Sequence, residues 1–415
     1  MEKQKATLLI KNIKELVTSE GGIKPGSRMK DLALMENVDI ACAGETIIYI
    51  GIDAEQHVAC DNQTQVLNAQ GKVALPGFVD AHTHLIFGGD RLQDWRIRMS
   101  GISYQGIAQK GGGIMRTVIE TRKATENELF ESAQNRLHCM LHDGITSFEI
   151  KSGYGLDFDT EIKILNVAQK IKSSCEADIT TTFLGAHAIP DEYKNRRNDY
   201  ITLLCEKMIP YVSTHKLAEY CDIFCDEGYF TIDEGRQILT TAQKHGLKAK
   251  IHADELKNTG GAELAAEIGA ISAEHLIYIS AQGIQQMANK NVIAVLLPAT
   301  SFFLKSIKPA VRDMINHNVI IALGTDFNPG TAFSPSMLLT IGLACYFYDM
   351  HVEEAITAAT INAAYAIGLG HKVGSIETGK QADIILFDIP HYEYLVYQFG
   401  VHKPTCVIKK GIKII

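Results

Sequence analysis

The sequence predicts an α/β chain: a (β/α)8 TIM-type barrel with a small β-sandwich domain built from both chain ends. Three observations lead there. Eight apolar, strand-like runs occupy the middle of the chain, and most are followed by a stretch with helical periodicity. The two ends share a different texture of short alternating runs. Finally, the polar residues of the eight runs collect at their C-terminal ends, where such a barrel presents its βα loops. The expected boundaries are 1–74 and 371–415 for the sandwich and 75–370 for the barrel.

In chain order, "ATLLIKNIKELV", "VDIACAGETIIYIGI" and "TQVLNAQGKVAL" alternate apolar and polar residues between Gly, Asn and Asp, which predicts a small β meander. The barrel strands follow as "VALPGFVDAHTH", "ITSFEIKS", "DITTTFLGAH", "YCDIFCDEG", "LKAKIHADE", "ISAEHLIYI", "NVIAVLLPAT" and "VIIALGTDFNPG". Helical periodicity is clearest in "ENELFESAQNRLHCMLHD", "TEIKILNVAQKIK", "TIDEGRQILTTAQKHG" and "NTGGAELAAEIG". A doubly wound sheet would call for a Gly-rich turn after its first strand. "GGGIM" at 111–115 has neither GxGxxG nor GK[ST] spacing and reads as a bend in a long loop. The β texture returns in "QADIILFDI" and "TCVIKKGIKII", so the termini are expected to meet in one sheet domain.

Hydrophobic residues make up 46% of the 415-residue chain and charged residues 21%, which suits a globular protein with a large core. With 48 acidic against 40 dispersed basic residues, nothing attracts a nucleic acid or an anionic membrane, so small molecules are the expected partners. Nine cysteines without a CxxC pair read as reduced thiols, Cys221 and Cys225 lying on one face of a buried strand. There is no long apolar leader, and no segment reaches about 18 uninterrupted apolar residues, which predicts a cytoplasmic location. "SMLLTIGLACYFYDM" at 336–350 is apolar enough for core or interface.

The strand ends carry the chemistry. His82 and His84 stand at i and i+2 on strand one, so both imidazoles face one side and can share an ion. His252 ends strand five and Asp326 strand eight, completing a shell of three imidazoles and one carboxylate. Such a shell suits Zn²⁺ or Fe²⁺ better than Ca²⁺ or Mg²⁺, which take oxygen ligands. By contrast, His138 and His142 have a zinc-compatible i, i+4 spacing but no glutamate after the first, and they fall near a helix C-terminus, where the dipole favours them structurally. Water bound to such a metal reaches a pKa of about 7, so hydrolysis is the expected chemistry. Glu255, three residues past His252, can protonate a leaving nitrogen if burial raises its pKa, and Asp326 can share the proton transfer. His275, ending strand six, is placed to hydrogen-bond the nucleophile or the oxyanion.

"PGFVDAHTH", the strand-five and strand-six histidines and the strand-eight aspartate together resemble the amidohydrolase superfamily. The likeness extends to "VGSIETGKQADIILFD", similar to the segment that re-enters the sandwich domain in that superfamily, and so covers essentially the whole chain. "HTHLIFGGDR", "EIKSGYGL", "FLGAHAIP" and "GTDFNPGTA", supported by "HADEL", narrow it to members that open an imidazolone ring bearing a propionate. That resemblance implies one divalent ion per subunit on His82, His84, His252 and Asp326, and a homodimer. It implies substrate contacts by Arg91, Tyr154, His187, Glu255, Asn328, Gly330 and Thr331.

The residues agree with such a substrate. Arg91 offers a planar fork for a carboxylate, and the glycines of "SGYG" free the backbone to bring Tyr154 over the barrel mouth. Lys151 bears on the ion count, because some superfamily members bridge two metals with a modified lysine. Here it ends strand two, whereas strand four offers Asp226 and Glu227, so a single ion is expected. Two rivals remain: a nucleobase deaminase of the same superfamily, since the His252 to Glu255 spacing suits both, and a non-catalytic relative that has lost its metal.

Overall fold

The structure is a computed structural model and describes residues 3–101 and 112–415. Eight parallel strands form the central sheet: β6 (Phe78–Asp80), β7 (Ile145–Lys151), β8 (Asp178–Ala186), β9 (Tyr220–Cys225), β10 (Lys248–Ala253), β11 (Ser272–His275), β12 (Ile293–Leu296) and β13 (Ile320–Leu323). They are ordered consecutively, and a parallel bridge between Thr83 and Phe327 brings the two edges together into a nearly closed barrel. All residues of β7, β9 and β11 to β13 are buried, as strands covered on both faces must be.

The chain ends form a separate sheet from β1 (Leu8–Val17), β2 (Leu34–Ala43), β3 (Thr46–Gly51), β4 (Gln65–Asn68), β5 (Val73–Pro76), β14 (Ile384–Phe387), β15 (Cys406–Lys409) and β16 (Ile412–Lys413). It is more than a meander: β1 pairs antiparallel with β2 but parallel with both β4 and β5. The run "VALPGFVDAHTH" is likewise two strands. Val73–Pro76 pairs with β14, the chain turns at Gly77, and Phe78 opens the barrel beside Ile145. Gly77 permits this passage because a Cβ there would overlap the Thr146 side chain.

The helices start where their caps dictate. Capping boxes Thr125/Glu128 and Thr231/Glu234 open Glu126–His142 and Ile232–Lys244, and the Asp157 side chain caps Phe158–Ser174. His138 and His142 are exposed on the outer face of the first, their rings 4.1 Å apart, and belong to no three-ligand group among the described residues. Of the "GGGIM" loop, Gly111 lies outside the described residues, while Gly113 at φ +75° opens helix Ile114–Lys123. Helix Met337–Tyr346 buries most of its side chains, so the apolar 336–350 segment is chiefly core. Cys221 and Cys225 are free, buried thiols. No helix among the described residues is long and apolar enough to cross a membrane.

Candidate active site

The C-terminal ends of the barrel strands surround a cleft whose wall includes His84, Arg91, Tyr154, His187, His252, Glu255, His275, Asp326, Asn328 and Thr331. Of the residues singled out in the sequence, His82 lies beneath this wall and Gly330 just behind Arg91.

Nε2 of His82 and Nε2 of His84 are 3.1 Å apart, and each is 3.5 Å from Oδ1 of Asp326. These three form one group of donors close enough to share an ion, and His82 joins His252 and His275 in another. The Nε2 atom of His252 is buried and has no hydrogen-bond partner, as a donor reserved for a metal would be. Burial holds His82, His84 and His275 well below the usual imidazole range, so they stand neutral with a lone pair available. A shell of imidazoles and one carboxylate therefore fits a divalent ion such as Zn²⁺ or Fe²⁺. Asp326 is raised to about 6 by burial despite the hydrogen bond that Thr300 donates to its Oδ2 at 2.5 Å.

The imidazoles are aimed by carboxylates behind them. Nδ1 of His82 contacts Glu274, and Nδ1 of His252 lies 3.0 Å from Asp222. This arrangement turns Nε2 of each toward the cleft. Burial would lower His252, but Asp222 outweighs it and the net shift is upward. Deeper still lie Glu149, Lys151 and Lys250, all fully buried. Burial would lower the Lys151 ammonium, but Asp222, Glu149 and Glu274 outweigh it and hold it cationic.

On the cleft wall, Oε2 of Glu255 is 3.5 Å from Nε2 of His275. Burial, and after it the Asp326 charge, push Glu255 up to about 8, which leaves it protonated at neutral pH and able to donate. Its backbone is pinned from strand four: the Asp226 carboxylate accepts N–H bonds from Glu255 and Leu256 at 2.7 and 2.8 Å. Asp226 is thus turned to peptide groups, as is Asp254, which accepts from the N–H groups of Thr259, Gly260, Gly261 and Ala262.

Tyr154 and His187 face His84, the His187 ring stacking on that of His84 at 5.1 Å. His187 hydrogen-bonds the Gly153 carbonyl through Nδ1 at 3.0 Å, and the carbonyl can only accept. Nδ1 therefore carries the proton, and burial keeps the ring neutral, its pKa near 3. Arg91 is 5% exposed and its Nε donates to Asp94 at 3.0 Å. Asn328 accepts from the N–H groups of Gly330 and Thr331 at 2.7 and 2.8 Å and donates to the Asp326 carbonyl at 2.6 Å. Its amide thus shapes the loop that follows the aspartate, and the same residue lines the cleft wall.

The amidohydrolase family model matches residues 73–413 of the chain. Imidazolonepropionase from Clostridium tetani is 46% identical over 411 residues, covering 98% of each chain, and that from Geobacillus thermodenitrificans is 45% identical over 97% of each. The chain belongs to the amidohydrolase family, among its imidazolonepropionases. An adenosine deaminase from Xanthomonas campestris with bound zinc shares the fold at a TM-score of 0.73 and 17% identity, over 99% of this chain and 93% of that one. An N-isopropylammelide isopropylaminohydrolase from Burkholderia multivorans does so at 0.68 and 16%, over 98% and 97%.

Sequence reasoning missed several groups that build the site of this amidohydrolase. Asp222 and Lys250 carried a readable signal: each is a charge within an apolar strand, and Lys250 shares a strand face with His252 two residues on. Glu161 gave none, because it sits in a helix among other charges. Only the fold shows its carboxylate accepting the N–H groups of Gly153, Gly155 and Leu156 at 3.1, 2.7 and 2.9 Å.

Proposed function

We propose that this amidohydrolase hydrolyses the ring amide of 4-imidazolone-5-propanoate to N-formimidoyl-L-glutamate, a step of histidine degradation. His82, His84, His252 and Asp326 would hold one divalent ion, Zn²⁺ or Fe²⁺, per subunit of a cytoplasmic homodimer. When bound, such an ion supplies water activation at neutral pH and polarisation of the ring carbonyl. The observation that carries the substrate is Arg91, a buried guanidinium on the wall of the same cleft as the histidines. Asp94 balances that charge through Nε, and a propionate entering the cleft would be met by the same planar guanidinium, whose fork suits a carboxylate in two parallel hydrogen bonds.

The chain's own groups then divide the work. Arg91 binds the propionate, with Thr331 beside it at the cleft wall. Tyr154 covers the ring, and His187, protonated on Nδ1, presents Nε2 as an acceptor for a ring N–H. Asp326 takes the proton of the attacking water. Glu255, protonated at neutral pH, delivers a proton to the ring nitrogen as the C–N bond breaks, and His275 beside it hydrogen-bonds the developing oxyanion.

Incubation with imidazolone propanoate, followed by its ultraviolet absorbance, tests this reading. Loss of absorbance with formation of the formimidoyl product is expected. Release of ammonia from guanine or cytosine, with the imidazolone untouched, would replace it by the deaminase reading.

A further inference from the structure

Lys151 takes no part in that chemistry, yet it is buried completely at the centre of the barrel. Its surroundings are specific. Asp222, His252 and Glu274 each offer a donor atom within 4.8 Å of the others, a set that by donor type suits a second divalent ion. Nζ of Lys151 already lies against that set, 2.7 Å from Oδ2 of Asp222 and 3.0 Å from Oε2 of Glu274, with Oε2 of Glu149 at 3.1 Å. An ammonium has three N–H donors, and here it has three carboxylates to receive them.

The same two carboxylates reach the imidazoles behind the cleft. Glu274 contacts Nδ1 of His82, and Asp222 lies 3.0 Å from Nδ1 of His252. A cation between them offsets the repulsion of two carboxylates buried side by side. A divalent ion in that place would need oxygens at about 2.0–2.6 Å, inside the space the ammonium fills. Lys250 does not substitute, because it is 2.9 Å from Glu149 but 3.7 Å from Glu274.

We propose that the Lys151 ammonium is a resident cation occupying the position of a second divalent ion between Asp222, His252 and Glu274. It thereby restricts the site to one ion and holds Glu274 and Asp222 against Nδ1 of His82 and His252. This rests on the reading that His82, His84, His252 and Asp326 hold the first ion. Lys151 is a positioning residue, and its removal leaves three carboxylates against the single ammonium of Lys250. Capture of a second divalent cation restores the balance.

The test is metal stoichiometry, which is independent of turnover. Wild type and Lys151→Met are prepared both without added metal and with zinc present, passed through gel filtration and assayed by elemental analysis. One equivalent of zinc per subunit is expected in wild type and two in Lys151→Met. Wild type without zinc would remove the first-ion reading itself. Wild type with two equivalents, or folded Lys151→Met with one, would overturn the role of Lys151 while leaving that reading intact. A variant that folds only with zinc present and then carries two equivalents supports the proposal. A variant insoluble under both conditions overturns it, since the second ion then fails to replace the ammonium.

Discussion

The guanidinium of Arg91 lies directly over the bare Cα of Gly330, so that a Cβ at that position would overlap Nη1. The strand-eight loop thus sets where the strand-one loop puts its cation. Gly330→Ala should displace Arg91 and Arg91→Lys should lose the bidentate contact. Each is expected to raise KM by an amount on the order of 1.5–3 kcal/mol, with kcat falling less. Steady-state kinetics would check this; unchanged KM in both variants means the propionate is bound elsewhere.

Glu255→Gln keeps the shape and the backbone N–H bonds to Asp226 but removes the transferable proton. We expect kcat to fall by roughly 10²–10⁴, the usual contribution of a positioned acid or base. Zinc content by elemental analysis should stay at the wild-type value. Retained turnover would sink the proton-delivery role.

The barrel and most of its rim are legible in the sequence because both follow from local pattern. Buried parallel strands read as apolar runs, and polar residues at their ends, such as His82, His84 and His252, stand out against them. What the pattern does not reveal is how polar groups are shared between elements. Glu274 and Asp254 sit at strand ends like the histidines, yet one turns inward to His82 and Lys151 and the other caps backbone N–H groups of residues 259–262. Asn328 is a similar case: it lines the cleft, and its amide also braces its own loop. The first barrel strand reads as one long run for a related reason: Val73–Pro76 and Phe78–Asp80 are equally apolar, and only pairing assigns them to different sheets.

Glu161 acts on the substrate only through the loop it grips. Its carboxylate takes three N–H groups of residues 153–156, the segment that carries Tyr154 and the carbonyl bonded to His187. In Glu161→Gln the amide NH₂ must face one of those N–H groups, at a cost of about 1–3 kcal/mol for the unsatisfied pair. KM is expected to rise about tenfold with a smaller change in kcat. A drop in thermal midpoint with unchanged KM would reduce Glu161 to a stabilising residue.

Asp178, at the start of β8, ties the barrel to the end sheet: its carboxylate receives Lys409 at 2.5 Å, Lys372 at 2.8 Å and Gln381 at 2.6 Å. Burial would raise its pKa, but Lys409 and its neighbours win and hold it at about 2. A carboxyl depressed on folding contributes stability above its unfolded pKa of about 3.9 and loses it as the pH falls through the folded value. The contribution is therefore full above about pH 4 and gone near pH 2, with a size of about 2 kcal/mol at neutral pH. Asp178→Asn should lower the thermal midpoint at pH 7, and the gap to wild type should narrow as the pH is taken from 4 toward 2. A gap independent of pH would mean that packing of the side chain, and not its charge, joins the two sheets.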